Sequence, residues 1–269
     1  MYRDRSFKDC LDAVLWNGYN GIELCKSHFS TQTDYATSIH DLHKQATSQG
    51  VNIGVLPLRG LNFTDNHVVL NDEIDRGIHT IELASKLSTP IVNCMLGYLP
   101  DASGNWSSAG SSIADHSHLA MAVEYCGKVA EHARKTGVIF SIETHMDFLH
   151  DSATASRSLI DKVGGGLVKA TLDIANLAGY DHGESYQNAI TILGSDIAYL
   201  HVKNMVRSSN SISYQCRLSD GDLDYTEILS TFSTLGFSGP ICIEYSGNDD
   251  PDAVAASDIS HLRSILSNL

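Results

Sequence analysis

Hydrophobic residues along the chain fall into two alternating patterns. Short continuous runs occur at residues 21–24, 51–57, 90–96, 138–142, 168–175, 197–202 and 240–243. They show little polar alternation, as expected of strands buried on both faces, and so predict a parallel sheet. Between them lie longer segments with a helical period. The period is clearest over residues 118–135, where Leu119, Ala122, Val123, Cys126, Val129, Ala130 and Ala133 recur at steps of three and four, and Gly137 supplies the stop. The same pattern predicts helices at residues 6–16, 34–49, 72–87, 152–163, 184–193, 225–235 and 252–266.

A strand–helix unit repeated in this way makes either a closed eightfold barrel or an open doubly wound sheet. No G-x-G-x-x-G or G-x-x-x-x-G-K-[ST] follows any of the runs, which weighs against the nucleotide-binding open sheet. The expected fold is therefore α/β, a (β/α)8 TIM barrel. Because the sequence opens on a helix, the first barrel strand is expected to be lacking at its N-terminus. No linker rich in Pro, Ser and Gly divides the chain, and the longest irregular stretch, residues 97–112, reads as a loop. Residues 1–269 are read as one domain.

Composition narrows the partners. Lys and Arg number 18 against 32 Asp and Glu, a formal net charge of −14, and the basic residues form no patch. That excludes nucleic acid and anionic membrane surfaces as expected partners. No apolar run approaches the roughly 20 residues that cross a bilayer. The opening Met-Tyr-Arg-Asp-Arg-Ser-Phe-Lys lacks a signal peptide's apolar segment, so a cytoplasmic location is expected. Cys10, Cys25, Cys94, Cys126, Cys216 and Cys242 stand singly, mostly within apolar runs, and read as reduced core residues.

Barrel enzymes gather their reactive groups at the C-terminal ends of strands, where the loops converge. The run ending at Ile142 leads into Glu143-Thr144-His145, that ending at Leu172 into Asp173, that ending at Leu200 into His201-Val202-Lys203-Asn204, and that ending at Ile243 into Glu244. Four consecutive strands thus each deliver one potential metal ligand, at spacings of 30, 28 and 43 residues. Three carboxylates and one imidazole bring a charge of about −3 into a partly enclosed mouth, where unpaired carboxylates are costly. A divalent cation removes that cost. Oxygen-rich ligation with one nitrogen suits a single Mn2+ ion best, with Mg2+, Co2+ or Zn2+ as alternatives.

His145 and Lys203 each lie two residues beyond a proposed ligand, which in a strand puts them on its side. His145, with an ordinary pKa of about 6.5, is the natural general acid or base. Lys203 either holds a substrate oxygen or pairs with Asp173 or Glu244. Arg59 and Arg207, in loops at the mouth, are candidates for contacting an anionic or hydroxylated substrate, the alternative being surface arginines. Asn93, Asn176 and Asn204, together with His145, offer the neutral hydrogen-bonding groups that a polyol needs. Glu23 ends the first run and lines the barrel in a functional or a structural role. His116 and His118 read as solvated.

The series Asn20-Gly21-Ile22-Glu23-Leu24, Ile142-Glu143-Thr144-His145 with Leu149 and Asp151, Thr171-Leu172-Asp173, Leu200-His201-Val202-Lys203-Asn204, Gly221-Asp222-Leu223-Asp224-Tyr225 and Ile243-Glu244-Tyr245 resembles the sugar phosphate isomerase/epimerase superfamily. This is the xylose isomerase-like barrel group, which also contains endonuclease IV and the 3-dehydroshikimate dehydratases. The resemblance implies one divalent metal held by Glu143, Asp173, His201 and Glu244, in agreement with the strand-end reading. It further implies that Glu143 and Glu244 serve as an acid–base pair on opposite faces of the substrate. Glu-Thr-His and His-x-Lys-Asn look particularly like the dehydratases, where the residues matching His145 and Lys203 lie in the active site. A homodimer or homotetramer is compatible with the group.

Departures bear on activity. Many members carry Asp-x-x-His where this chain has Asp173-Ile174-Ala175-Asn176, and the histidines of the endonuclease zinc cluster are not visible. The dehydratases bind a substrate carboxylate with an arginine at the end of the fourth strand, where this chain reads Ile91-Val92-Asn93-Cys94-Met95-Leu96-Gly97. The expected function is a metal-dependent isomerase or epimerase of a small sugar or keto-polyol, abstracting a proton next to a carbonyl through a metal-stabilised enediolate. The alternatives are a lyase of the 3-dehydroshikimate dehydratase type and a non-catalytic barrel that binds a carbohydrate or a partner chain.

Overall fold

The structure, a computed structural model, describes residues 1–269 apart from 3–4, 30–33, 64–65, 105–107, 180–183 and 210. Its strands are β1 (Gly21–Glu23), β2 (Asn52–Gly60), β3 (Ile91–Leu96), β4 (Ile139–Glu143), β5 (Val168–Asp173), β6 (Ile197–Val202), a small antiparallel hairpin of β7 (Val206–Arg207) and β8 (Ile212–Ser213), and β9 (Ile241–Ile243). Seven of them pair in parallel in the order β1-β2-β3-β4-β5-β6-β9 and curl into a nearly closed barrel. The edge strands β1 and β9 are not hydrogen-bonded to each other among the described residues.

The helices are α1 (Phe7–Asn17), α2 (Tyr35–Ser48), α3 (His67–Lys86), α4 (His116–Thr136), α5 (Ala153–Val163), α6 (Ile174–Ala178), α7 (Tyr186–Leu193), α8 (Tyr225–Thr234) and α9 (Pro251–Leu266). None of the described helices is long and apolar enough to cross a membrane.

Several boundaries differ from expectation for local reasons. Helix α3 begins ahead of residue 72 because the Asn66 side chain accepts the Val68 N–H at 2.9 Å and caps it. The run expected to stay extended to residue 175 stops at Asp173, whose carboxylate accepts the Asn176 N–H at 2.9 Å and starts α6. Strand β2 continues past Pro57 to Gly60, so Arg59 belongs to a strand end and not to a loop. The β7–β8 hairpin was not expected; its strands are two residues each and leave no readable period. Within the loop expected at residues 97–112, residues 105–107 lie outside the described residues.

Alternation along the strands divides the core in two. The outward side chains, among them Leu56, Val92, Cys94, Phe140, Ile142, Leu172 and Leu200, pack under the helices in one large cluster. Full burial of each such aliphatic side chain contributes about 1.5–3 kcal/mol. The close fit shows at Gly60, where a Cβ would stand 2.2 Å from the Tyr125 hydroxyl of α4. Inside the barrel, Val55, Ile91, Tyr199 and Cys242 form a small apolar plug. One step nearer the C-terminal ends of the strands, the inward positions turn polar.

Candidate metal and catalytic site

Inward parity carries Ser141 and Glu143 on β4, Thr171 and Asp173 on β5, Tyr199 and His201 on β6, and Cys242 with Glu244 on and just past β9. Register aligns these levels: Glu143 pairs with Thr171, Asp173 with His201, and His201 with Cys242. Glu143, Asp173, His201 and Glu244 consequently converge, each offering a ligand atom within 4.8 Å of the others. The first three are buried, while the Glu244 side chain is 25% exposed and opens the group to the mouth.

This is a concentration of negative charge in a low-dielectric setting, and the neighbouring cations answer it. Lys203 Nζ lies 3.0 Å from Asp173 Oδ2 and 2.8 Å from Glu244 Oε2. His201 Nδ1 lies 3.3 Å from Glu143 Oε1. Burial works against ionisation of Glu143, but the facing His201 charge, with His145 and Lys203 behind it, holds the carboxyl well below the usual range. For Asp173 burial dominates and pushes the carboxyl up, against the pull of Lys203. Burial likewise disfavours the charged form of Lys203, yet Asp173 and Glu244 outweigh it and keep the ammonium charged well above the ordinary lysine range.

The donor set fits a divalent ion. Asp173 Oδ2 and His201 Nδ1 are buried, and among the described residues each meets only an ion-pair partner at the same site, Lys203 Nζ and Glu143 Oε1. Three carboxylates and one imidazole with ligand atoms this close are the donor set that a divalent cation takes.

Comparison with known proteins places the fold. The sequence profile described as "Xylose isomerase-like TIM barrel" matches residues 11–265. The chain belongs to the xylose isomerase-like TIM barrel family. Among solved structures, it is similar to a xylose isomerase-like TIM barrel protein from Mycobacterium smegmatis in complex with magnesium, with a TM-score of 0.77 and 19% identity over 99% of this chain and 91% of that one. The probable 3-DHS dehydratase AsbF of Bacillus anthracis gives a TM-score of 0.75 at 16% identity over 97% and 96%. D-Psicose 3-epimerase from Clostridium cellulolyticum H10, solved with D-tagatose, gives 0.69 at 18% over 98% and 87%. At such identities these likenesses establish the fold. No curated protein matches the chain.

The remaining candidates of this family member separate by what already holds them. Strand β4 ends at Glu143, so alternation does not extend to His145. His145 is half-buried in the turn that follows, its Nδ1 2.8 Å from the Met146 carbonyl, which leaves Nε2 without the proton in the neutral ring. Asn93, on β3, donates from Nδ2 to Glu143 Oε2 at 3.0 Å, and Asn176, on α6, donates to the Thr144 carbonyl at 3.0 Å. The Oδ1 atoms of both asparagines are buried without a partner among the described residues.

Asn204 is different. Its Nδ2 donates to the carbonyls of Leu218 and Leu223, and its Oδ1 accepts from the N–H groups of Met205 and Leu223. It organises the loop after β6, pressed so close that a Cβ on Gly221 would stand 2.2 Å from its amide. Arg207 sits on β7, exposed, with its guanidinium donating to the Ala178 carbonyl at the end of α6. Arg59 is exposed on the inward parity of β2, level with Met95, and meets no hydrogen-bond or ion-pair partner among the described residues.

Four supporting residues were not among the expected site residues, Tyr225 having entered only as part of a family motif. Tyr214 presents its ring 5.5 Å from Lys203 Nζ. Tyr225 clamps Lys203 by donating to its carbonyl at 2.6 Å and accepting from its N–H at 3.1 Å. His150 bridges two strand ends, donating from Nδ1 to the Glu143 carbonyl and accepting at Nε2 from the Leu96 N–H. Tyr199, two residues before His201, touches Glu23, and strand parity alone was the signal that marked it.

Proposed function

We propose that the chain is a divalent-metal-dependent isomerase or epimerase that moves a proton on the carbon next to the carbonyl of a small sugar or keto-polyol. The observation that carries this reading is the convergence of Glu143, Asp173, His201 and Glu244 at the C-terminal ends of four barrel strands. A divalent ion held there, with Mn2+ as the expected metal, would supply Lewis-acid stabilisation of negative charge on a substrate oxygen.

The chain's own residues supply the rest. Glu143 and Glu244 come from β4 and β9 with β5 and β6 between them, and so bracket the site. One carboxylate oxygen takes the proton from one face of the substrate carbon and the other glutamate returns a proton to the opposite face. Lys203, charged and held between Asp173 and Glu244, steadies the oxygen that gains negative charge. Asn93, Asn176 and the Nε2 of His145 are the polar groups at hand for substrate hydroxyls.

Arg59 favours a second reading. An exposed arginine on the inward side of a strand end, without a counter-ion among the described residues, suits a substrate carboxylate or phosphate. On such a substrate with a hydroxyl β to the carbonyl, the same proton abstraction followed by breaking of that C–O bond and loss of the hydroxyl, protonated, as water is the dehydratase reaction.

The test is turnover by the Mn2+-loaded protein in D2O with a panel of neutral ketoses and with 3-dehydroshikimate. The expected result is ketose interconversion with solvent deuterium at the carbon beside the carbonyl, and little protocatechuate. Unchanged ketoses together with efficient protocatechuate release that Arg59→Ala abolishes would establish the lyase instead.

A further inference from the structure

Glu23 stands on β1, at one edge of the barrel, and its carboxylate crosses the interior to β6. Its Oε2 accepts from the Tyr199 hydroxyl at 2.6 Å and faces His201 Nε2 at 2.8 Å, and its Oε1 accepts from Asn93 Nδ2 at 3.4 Å. An ionised carboxylate can only accept hydrogen bonds, so the imidazole nitrogen facing it carries the hydrogen. In the neutral ring the lone pair then belongs to Nδ1. That atom is buried and looks into the ligand group, toward Glu143 Oε1 at 3.3 Å. Asn93 Nδ2, which Glu23 helps to orient, also donates to Glu143 Oε2 at 3.0 Å. One carboxylate thus touches two members of the ligand group, one directly and one through an amide.

We infer that Glu23 is the positioning residue of the metal site, holding His201 with its hydrogen on Nε2 so that Nδ1 is presented together with Glu143, Asp173 and Glu244. The inference rests on the metal-site reading above. A rival arrangement lies on the other side of His201, where Glu23, His201 and Cys242 form a second group with ligand atoms within 4.8 Å of one another. The hydrogen bonds decide between them. Glu23 Oε2 is engaged by Tyr199 and His201, and the Cys242 thiol points at the Ile243 carbonyl at 3.7 Å, so this side of His201 is arranged as support for the imidazole. A carboxylate behind a ligating imidazole sets its tautomer and ring orientation, and losing it weakens metal binding about 10- to 100-fold.

Two measurements on the full chain test this: calorimetric titration with Mn2+, and 15N NMR of the His201 ring in Mg2+-saturated protein. The wild type should show a protonated Nε2 and a metal-bound Nδ1. Glu23→Ala should raise the Mn2+ Kd about 10- to 100-fold, and the isosteric Glu23→Gln, which guards against a folding defect, should raise it about tenfold or more, with the Nε2 signal moved from its wild-type position by the loss of the carboxylate acceptor. Cys242→Ser should bind Mn2+ like the wild type. Wild-type affinity and unchanged ring signals in both Glu23 variants would overturn the inference, as would metal on Nε2 or a loss of affinity in Cys242→Ser. A wild type that takes up neither ion would overturn the proposed function along with it.

Discussion

Lys203 meets two carboxylates at once, and the consequences of that position can be separated by experiment. Its ammonium answers the charge of Asp173 and Glu244, yet it also repels any cation placed among them. Lys203→Met should therefore leave Mn2+ affinity unchanged or tighter while lowering turnover by about 100-fold or more, the effect of removing a group that stabilises developing charge. Calorimetry and steady-state rates on one preparation check both halves. The residue scale is also where expectation and outcome part most clearly. Asn204 and Asn176 look alike as polar residues near strand ends, yet Asn204 is saturated by its own loop, while Asn176 retains a buried, unpartnered Oδ1. Which partner a side-chain amide finds depends on backbone groups more than ten residues away, and no local pattern encodes that.

The loop between β6 and α8 shows how one residue organises an element. Four backbone groups of residues 205–223 depend on the Asn204 amide. Asn204→Ala should cost about 2–4 kcal/mol of unfolding free energy, since buried donors and acceptors lose their partners together, and urea unfolding measures it. Helix α9 holds the same loop from outside, where buried Asp258 accepts the Leu218 N–H at 3.1 Å through Oδ1 while its Oδ2 has no partner among the described residues. Burial pushes its carboxyl up to about 6. A carboxyl raised in the folded state favours folding below its unfolded pKa of about 3.9, and that contribution fades as pH rises through the folded value. Asp258→Asn keeps the acceptor for Leu218 and removes the titration. Its stability relative to the wild type should thus climb by about 2 kcal/mol between pH 4 and 7, followed by thermal unfolding across that range.

At the scale of the molecule, the barrel brings together residues spread over a hundred positions, so an ion held by the three acids and the imidazole would tie β4, β5, β6 and β9 to one another. Mn2+ at about a hundred times its Kd should raise the unfolding free energy by about 2.7 kcal/mol. A melting temperature unmoved by saturating Mn2+ would count against a metal at this site.

The barrel architecture and the four strand ends were legible in the linear pattern of residues. Buried parallel strands read as continuous apolar runs, helices as a 3.6-residue period, and a charged residue directly after such a run has few places to be other than the barrel mouth. The linear order also carried the family motifs. How these groups are held was not legible there and depends on the folded barrel. Glu23 and His201 are 178 positions apart and meet because the curl of the barrel brings its edge strand β1 back toward β6 and β9. Lys203 finds Asp173 and Glu244 because its backbone is clamped by Tyr225, and Arg59 reaches the mouth because β2 runs three residues farther than its apolar pattern. The physical reason is common to all three. Hydrophobic burial is roughly proportional to area and is written along the chain as a pattern. Hydrogen bonds and ion pairs act over a few ångströms between residues that only strand register and barrel curvature bring together.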